Sequence, residues 1–204
     1  MSIALNKSLG NIDLYLLDFI LKGYFPEGIK ILDAGCGEGR NLHFFLQNNY
    51  EVYGFDRNPD AIRMVRLVAR SLDKSITDEN FLVSDIKDHP FPPAAFDLVV
   101  CSAVLHFAND KEHFIDMMAE LVKTVKKGGK LFIRMASDIG IEKLVEPVDD
   151  GKFLMPDGSL RFLLNRNLYN EVLEKYGMQE MEPLKTVNVA DLRCMSTFLW
   201  TKTE

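Results

Sequence analysis

The amino-acid sequence predicts an α/β fold with helices packed on a largely parallel sheet. Short apolar runs of strand character alternate along the chain with segments whose apolar residues recur at helical spacing, as βαβ units require. Acidic residues stand at the ends of the first three predicted strands, and a glycine-rich turn follows the first. With 204 residues, 47% of them hydrophobic, the chain can bury a full core as one domain without disulfides or metals.

The first predicted strand begins near Lys30 and breaks into three alternating glycines, Gly35, Gly37 and Gly39. Glycines permit a sharp turn with positive φ and let a ligand lie against bare backbone, while the next helix offers unpaired N–H groups. This pattern predicts a nucleotide-binding turn. Asp33 precedes the turn by two residues, where a carboxylate would repel a pyrophosphate but suits a ligand with ammonium and sulfonium groups.

The second and third predicted strands, residues 51–56 and 81–86, also end near acids. Asp56 stands about 20 residues beyond the first glycine, the spacing at which a carboxylate can accept hydrogen bonds from ribose hydroxyls. Asp85 holds the corresponding position after the third strand. Three acids at successive strand ends are improbable by coincidence and predict one ligand-binding edge.

Further local signals place the remaining elements. Asn58, followed by proline, caps a helix after the second strand, and a longer helix runs from about residue 111 to 127 with Gly128 as its stop. Asn165 caps a last helix that ends at Gly177.

Late strands complete the predicted sheet. Residues 130–135 are predicted as the fifth strand. The stretches 179–189 and 193–201 are predicted to be antiparallel neighbours, because the connection between them is too short for a parallel crossover.

Residues 136–163 do not follow the alternation of predicted strands and helices. Turn residues between 152–154 and 160–162 predict a small hairpin inserted after strand five. Ligands bind beyond the carboxyl ends of the strands in such folds, so the insertion is expected to cover the ligand as a lid. An ordinary surface loop is the alternative.

The glycine turn and the ordered acids resemble the motifs of class I S-adenosylmethionine (SAM)-dependent methyltransferases over roughly residues 28–135. Within that family, Gly-Cys-Gly-x-Gly-Arg-Asn followed by Asp-x-Asn most resembles the small tellurite-resistance-type enzymes. The resemblance implies a three-layer Rossmann-like sandwich with a seven-stranded, mostly parallel sheet in the order 3-2-1-4-5-7-6 and an antiparallel last strand. It also implies methyl transfer from SAM to a small-molecule acceptor, with S-adenosylhomocysteine as the product.

The same resemblance implies the cofactor contacts. The acid after strand three is expected to accept a hydrogen bond from the adenine amino group, and the next residue to offer its backbone N–H to the ring. The end of the fourth strand, within residues 96–107, is expected beneath the methionine part of the cofactor. The expected cofactor-binding residues are Asp33, Gly35, Cys36, Gly37, Asp56, Arg57, Asp85, Ile86 and Ser102.

A polar acceptor pocket is expected around the lid. Its candidate residues are Arg134, Ser137, Asp138, Arg161 and Arg193. Surface solvation or ion pairing, such as Arg134 with Asp138, is the alternative for each. His106 follows strand four and is either a general base, since the histidine pKa lies near neutrality, or a packed lid contact.

The amino-acid composition limits which binding partners and which cellular compartment are expected for this chain. A formal net charge of −6 and a pI near 5.3 argue against a nucleic-acid partner, since such partners are bound largely through clustered Lys and Arg. Three cysteines without a CxxC pair indicate reduced thiols and a cytoplasmic location. The apolar runs are shorter than the roughly 20 residues that a membrane span needs. No metal site is expected, and both a monomer and a homodimer remain open.

Two other classes of protein share part of this pattern. An NAD-dependent oxidoreductase also uses a glycine turn and a later ribose acid, but here the glycines follow GxGxG and no second mononucleotide half is evident. A SAM-binding module without catalytic activity is the third interpretation. The sequence leaves open whether the acceptor atom is oxygen, nitrogen, sulfur or part of an inorganic oxyanion.

Overall fold

A computed structural model describes residues 2–203. The helices are α1 Ser2–Leu9, α2 Leu14–Leu21, α3 His43–Gln47, α4 Pro59–Leu72, α5 Lys111–Thr124 and α6 Arg166–Lys175. The strands are β1 Lys30–Ala34, β2 Glu51–Asp56, β3 Phe81–Val83, β4 Phe96–Ser102, β5 Val125–Ser137, β6 Glu146–Asp149, β7 Lys152–Leu154, β8 Leu160–Phe162, β9 Met178–Glu180, β10 Lys185–Val189 and β11 Arg193–Lys202. Single 3₁₀ turns lie at Asp78–Asn80 and Leu105–Phe107.

The main sheet has the order β3-β2-β1-β4-β5-β11-β10, and β9 also pairs with β11. Strands β1 to β5 are parallel, whereas β11 runs antiparallel to β5 and to both β9 and β10. The predicted order 3-2-1-4-5-7-6 and the reversed last strand are therefore confirmed. The sixth position is divided into β9 and β10, which pair with opposite ends of β11.

Two apolar cores lie on the two faces of this sheet. Side chains alternate between faces along a strand, so Ile31 of β1 packs with α2, α3 and α4, whereas Leu32 packs with α5 and α6. The same alternation divides Val99 from Val100 in β4. These two cores produce the three-layer sandwich and hold the carboxyl ends of the strands at one edge.

Several predicted helix ends are confirmed. Asn58 caps α4 by accepting a 2.9 Å hydrogen bond from Asp60 N, and Asn165 caps α6 in the same way. The predicted end of α5 is wrong, because the chain leaves the helix after Thr124 and pairs with β4 from Val125 onward. Gly128 lies inside β5 with a φ of 74°, near an irregularity in that pairing.

The inserted segment forms a separate antiparallel sheet, β6-β7-β8, which has one strand more than the predicted hairpin. Phe162 at its base is fully buried and stacks on Phe114 of α5 with ring centroids 4.9 Å apart. A Cβ at Gly151 would overlap the Phe162 ring, so glycine is required there. The backbone of Leu164 donates to Ala136 O at 3.1 Å, which joins the insertion to β5.

Residues 2–203 contain no helix that combines the length and the apolar character needed to cross a membrane.

Candidate active site

A cavity of about 270 Å³ lies at the carboxyl ends of β1 to β4. It brings together six of the nine predicted cofactor-binding residues, which are Gly35, Asp56, Arg57, Asp85, Ile86 and Ser102. Its remaining lining residues are Phe55, Ser84, Ala103, Val104, Phe107, His113 and Met117. The cavity therefore lies where the strand-end acids predict a ligand site.

Asp56 connects this cavity to the glycine turn. Its Oδ2 accepts a hydrogen bond from Gly37 N at 2.9 Å, and its Oδ1 accepts one from Asn58 N at 2.9 Å. Each carboxylate oxygen has a second lone pair, so the side chain can still accept from a ligand hydroxyl pair. The backbone thus fixes the orientation of the Asp56 carboxylate on the wall of the cavity.

The glycine turn leaves no room for side chains at two positions. Gly35 and Gly39 have φ angles of 79° and 84°, and a Cβ at either would overlap a valine side chain. Cys36 and Gly37 belong to the turn but do not line the cavity. Burial raises the pKa of the Cys36 thiol well above its usual value, which disfavours the thiolate that a nucleophile requires.

Asp33 is fully buried and also lies outside the lining of the cavity. Its Oδ2 has no hydrogen-bond partner within the described part of the chain. Burial raises the pKa of this carboxyl to about 7, and the positive charge of Arg40 partly opposes the shift. An acceptor buried without a donor fits a ligand that carries an ammonium group, as expected for SAM.

A second cavity, of about 280 Å³, adjoins the first and shares Ala103 with it. Three of the five predicted acceptor residues, Arg134, Arg161 and Arg193, lie on its wall. The other lining residues are His106, Ala136, Met155, Asp157, Ser159, Val187, Val189, Cys194 and Met195. The insertion supplies one side of this cavity and β5, β10 and β11 supply the other.

The two remaining acceptor candidates, Ser137 and Asp138, do not line the cavity. Strand β5 extends to Ser137, two residues beyond its predicted end, and alternation directs this side chain to the face opposite Ala136. Ser137 is fully buried and accepts from Ser196 Oγ at 2.7 Å. The alternative pairing of Arg134 with Asp138 is also wrong, because Arg134 Nε lies 3.2 Å from the buried Oδ2 of Asp13.

His106 lies on the wall of the second cavity with 8% of its surface exposed. Its Nδ1 accepts a hydrogen bond from Ala136 N at 3.3 Å. Burial, assisted by the charges of Arg161 and Arg134, lowers the pKa of His106 to about 4. The ring is therefore neutral at neutral pH with its proton on Nε2, which is available as a hydrogen-bond donor and has no free lone pair.

Asp13 and Arg40 contact residues of the site, although nothing in the sequence indicates that role. Asp13 caps α2 by accepting from Tyr15 N at 3.0 Å, and its Oδ2 lies 3.7 Å from Arg40 Nη2. The same Nη2 atom lies 3.4 Å from Ser102 Oγ on the wall of the first cavity. Asp13 could be recognised as a helix cap from its position before an apolar run, but its link to both cavities depends on the fold.

The strand order and the acids at this edge define a class I SAM-binding α/β protein. A family profile described as a methyltransferase domain matches residues 32–133, which is half of the 204-residue chain. The chain belongs to this methyltransferase domain family and is a SAM-dependent methyltransferase.

Relatives and solved structures are consistent with this assignment. A ubiquinone biosynthesis O-methyltransferase of Vibrio atlanticus strain LGP32 is 28% identical over 180 residues, which are 79% of this chain and 73% of that protein. A SAM-dependent methyltransferase of Methanosarcina mazei shares the fold with a TM-score of 0.72 at 22% identity, over 91% of this chain and 98% of that one. N-methyltransferase NodS of Bradyrhizobium japonicum, in complex with S-adenosylhomocysteine, has a TM-score of 0.67 at 19% identity, over 93% and 85% of the two chains.

Within residues 2–203, no group of three or more His, Cys, Asp and Glu side chains is placed to hold a metal ion.

Proposed function

We propose that this enzyme transfers the methyl group of SAM to a small-molecule acceptor bound in the second cavity. The observation that carries the proposal is the junction of the two cavities at Ala103, directly after β4. A cofactor in the first cavity and an acceptor in the second would meet at this residue. The small alanine side chain leaves space there for the reacting groups.

The cofactor is held by groups of this chain with complementary chemistry. Asp56 accepts from the ribose hydroxyls, and Asp85 and the backbone of Ile86 meet the adenine. Asp33 attracts the ammonium group, while Arg40, 3.4 Å from Ser102, supplies a cation for the carboxylate. SAM supplies a methyl group on a positively charged sulfur and leaves as the neutral thioether S-adenosylhomocysteine.

The protein contributes mainly alignment and closure. Because the methyl donor is intrinsically reactive, holding the acceptor in line with its S–CH₃ bond supplies much of the rate. Ala103 keeps a positive φ of 64° and donates to Arg134 O at 2.7 Å, which fixes the backbone between the cavities. The insertion at 136–163 acts as the lid that separates the acceptor from water. His106 donates a hydrogen bond to the acceptor through Nε2.

The size and charge of the molecule favour a small acceptor over a nucleic acid. The acceptor cavity is about 280 Å³ and partly covered by the lid, and the formal net charge of the chain is −6. The three free cysteines are all buried, which is consistent with a cytoplasmic enzyme. The named relatives act on oxygen and on nitrogen, so similarity leaves the acceptor atom open. The whole chain forms one domain, as a monomer or a homodimer.

Incubation with methyl-labelled SAM and a fractionated metabolite extract tests the proposal. Label should move from SAM to a product of low molecular mass, identified by mass spectrometry, and S-adenosylhomocysteine should accumulate in equal amount. Calorimetry should show binding of SAM and S-adenosylhomocysteine in preference to NADH. Binding of NADH without binding of SAM would favour an oxidoreductase, and SAM binding without label transfer in any fraction would favour a non-catalytic module.

A further inference from the structure

We infer that the acceptor carries a carboxylate or phosphate group, which Arg134, Arg161 and Arg193 bind in the second cavity. This inference rests on the proposed function, because it treats the second cavity as the acceptor site. It goes further in stating the charge of the acceptor and the residues that select it.

The wall of the second cavity concentrates positive charge in a protein whose net charge is −6. Three arginines line it against a single carboxylate, that of Asp157. Hydrogen bonds from Ser159, one of them 2.9 Å long from Ser159 N to Asp157 Oδ1, and to a smaller extent the charges of Arg193 and Arg161 lower the pKa of Asp157, so this carboxylate is ionised and offsets one of the three positive charges. An excess of cations in a partly enclosed cavity attracts an anionic ligand and repels a cationic one.

Two of the three guanidinium groups are available to a ligand. Within residues 2–203, neither Arg161 nor Arg193 forms an ion pair. Arg161 donates to Leu160 O at 2.8 Å and lies 5.1 Å from the centroid of the Phe107 ring, so its guanidinium group is held in place with donors to spare. Each guanidinium plane can bind a carboxylate or a phosphate through two parallel hydrogen bonds.

Arg134 is only partly neutralised. Its partner Asp13 also lies near Arg40, so one buried carboxylate is shared by two cations. The Arg134 side chain remains 27% exposed and faces the cavity. Removal of Arg134 would leave Asp13 with one partner fewer in a buried position, so the other two arginines are better targets for mutation.

The polar groups around the arginines are suited to oxygen atoms. His106 presents an Nε2–H donor beside them, and the three arginines come from separate elements, β5, β8 and the start of β11. An anion held between Arg161 on the insertion and Arg193 on the main sheet would join the lid to the sheet. Binding of the acceptor and closure of the lid would then be one event.

A titration of the enzyme saturated with S-adenosylhomocysteine tests the inference. The probes are benzoate, phenyl phosphate and benzamide, which has nearly the shape of benzoate without its charge. Benzoate or phenyl phosphate should bind at least about 10-fold more tightly than benzamide, as expected for hydrogen bonds to charged groups. The tighter of the two anions identifies the carboxylate or the phosphate as the preferred group.

Variants locate the binding at the arginines. Arg193→Met and Arg161→Met should each weaken the preferred anion by about 10- to 100-fold and leave benzamide binding unchanged. Arg166→Met is the matched control, because it removes the same charge from an exposed position at the start of α6, outside the cavity. It should leave the affinities for all three probes unchanged.

Equal affinities for benzoate, phenyl phosphate and benzamide would overturn the inference, as would failure of both anions to bind at millimolar concentrations. An equal loss in Arg166→Met and Arg193→Met would also overturn it, because it would trace the binding to overall charge. Binding of S-adenosylhomocysteine is measured first, in the same calorimeter. Its absence would contradict the proposed function itself, whereas its presence with no preference for anions would contradict only the inference.

Discussion

The backbone N–H of Gly37 donates a 2.9 Å hydrogen bond to Asp56 Oδ2, so the acid at the end of β2 also stabilises the glycine turn that follows β1. Two parts of the expected cofactor site are thereby held by one carboxylate. A hydrogen bond from Asn58 N to Oδ1 fixes the other side of the same group. Mutation of Asp56 is therefore expected to affect both the ribose contact and the shape of the turn.

Asp56→Ala should weaken SAM binding by about 1.5–3 kcal/mol, or roughly 10- to 150-fold, because it removes charge-assisted hydrogen bonds to the ribose. Asp56→Asn should be intermediate, since an amide oxygen still accepts from Gly37 N but carries no charge. Isothermal calorimetry measures both. Glu79→Ala is the control, because it removes an exposed carboxylate that does not line the first cavity. Unchanged SAM affinity in folded Asp56→Ala would show that this residue does not bind the cofactor.

Asp33→Asn should stabilise the protein without ligand at pH 8 while weakening SAM binding. The folded-state pKa of Asp33 is about 7, above the usual 3.8, so its contribution to stability is fully present below about pH 4 and is lost as pH rises through 7. The amide avoids that loss, which is on the order of 4 kcal/mol at pH 8. Urea unfolding at pH 5 and pH 8 measures it, with exposed Glu79→Gln as the control. A variant less stable than wild type at pH 8 would contradict this account.

Binding of SAM should release protons near pH 6.5. The carboxyl of Asp33 is largely protonated there in the free protein, because burial raises its pKa to about 7. A ligand ammonium beside it would lower that pKa and expel the proton. Calorimetry in buffers of different ionisation enthalpy counts the protons. The release should disappear in Asp33→Asn, and a binding enthalpy independent of buffer in wild type would contradict the prediction.

Local signals in the sequence predict most element boundaries well because they agree with one another, whereas the strand order follows from the family resemblance. Caps such as Asn58, strand-end acids and a glycine turn each mark an element boundary without reference to the rest of the chain. Strand β6 carries no such signal, since all four of its residues are exposed and show no apolar alternation. Likewise, β5 extends to Ser137, where alternation turns this side chain away from the second cavity, and pairing with β11 decides that length.

Within the site, the acids were predictable because the carboxyl ends of parallel strands meet at one edge. The ion pair between Asp13 and Arg134 was not, because 121 residues of sequence separate them and only the packing of α2 beside β5 brings them together. The lowered pKa of His106 could not be predicted from the sequence either. It depends on burial and on two arginines from β5 and β8.

Hydrogen exchange should slow in the sheet β6-β7-β8 when S-adenosylhomocysteine and the acceptor are both bound. All four residues of β6 are exposed, whereas Phe162 anchors the base of the insertion. Opening of the outer strands therefore breaks few apolar contacts, and closure over the acceptor would suppress it. The amides of α4, outside both cavities, serve as the internal control. Unchanged exchange in that ternary complex would show that the insertion is an ordinary surface loop.

His106→Ala should mainly raise the KM for the acceptor, by about 10-fold, with kcat changed little and SAM affinity unchanged. The reason is the hydrogen bond from Ala136 N to Nδ1, which leaves Nε2 as a donor and not a base. Loss of a contact shared by the bound substrate and the transition state appears in KM. Steady-state kinetics with the identified acceptor measures the separate changes in KM and in kcat.

The pH dependence of the same reaction gives an independent measure of the role of His106. Its pKa is about 4, so this ring does not titrate between pH 6 and 8 and should produce no rise in kcat across that range. His106→Gln is the conservative variant, because its amide can accept from Ala136 N and donate to the acceptor, and it should recover much of the lost affinity. A general base would instead show a kcat loss of about 10²- to 10⁴-fold in both variants, with the wild-type rate rising through a group near pH 6 to 7. A thousandfold loss of kcat with intact fold and intact SAM binding would therefore establish His106 as the base.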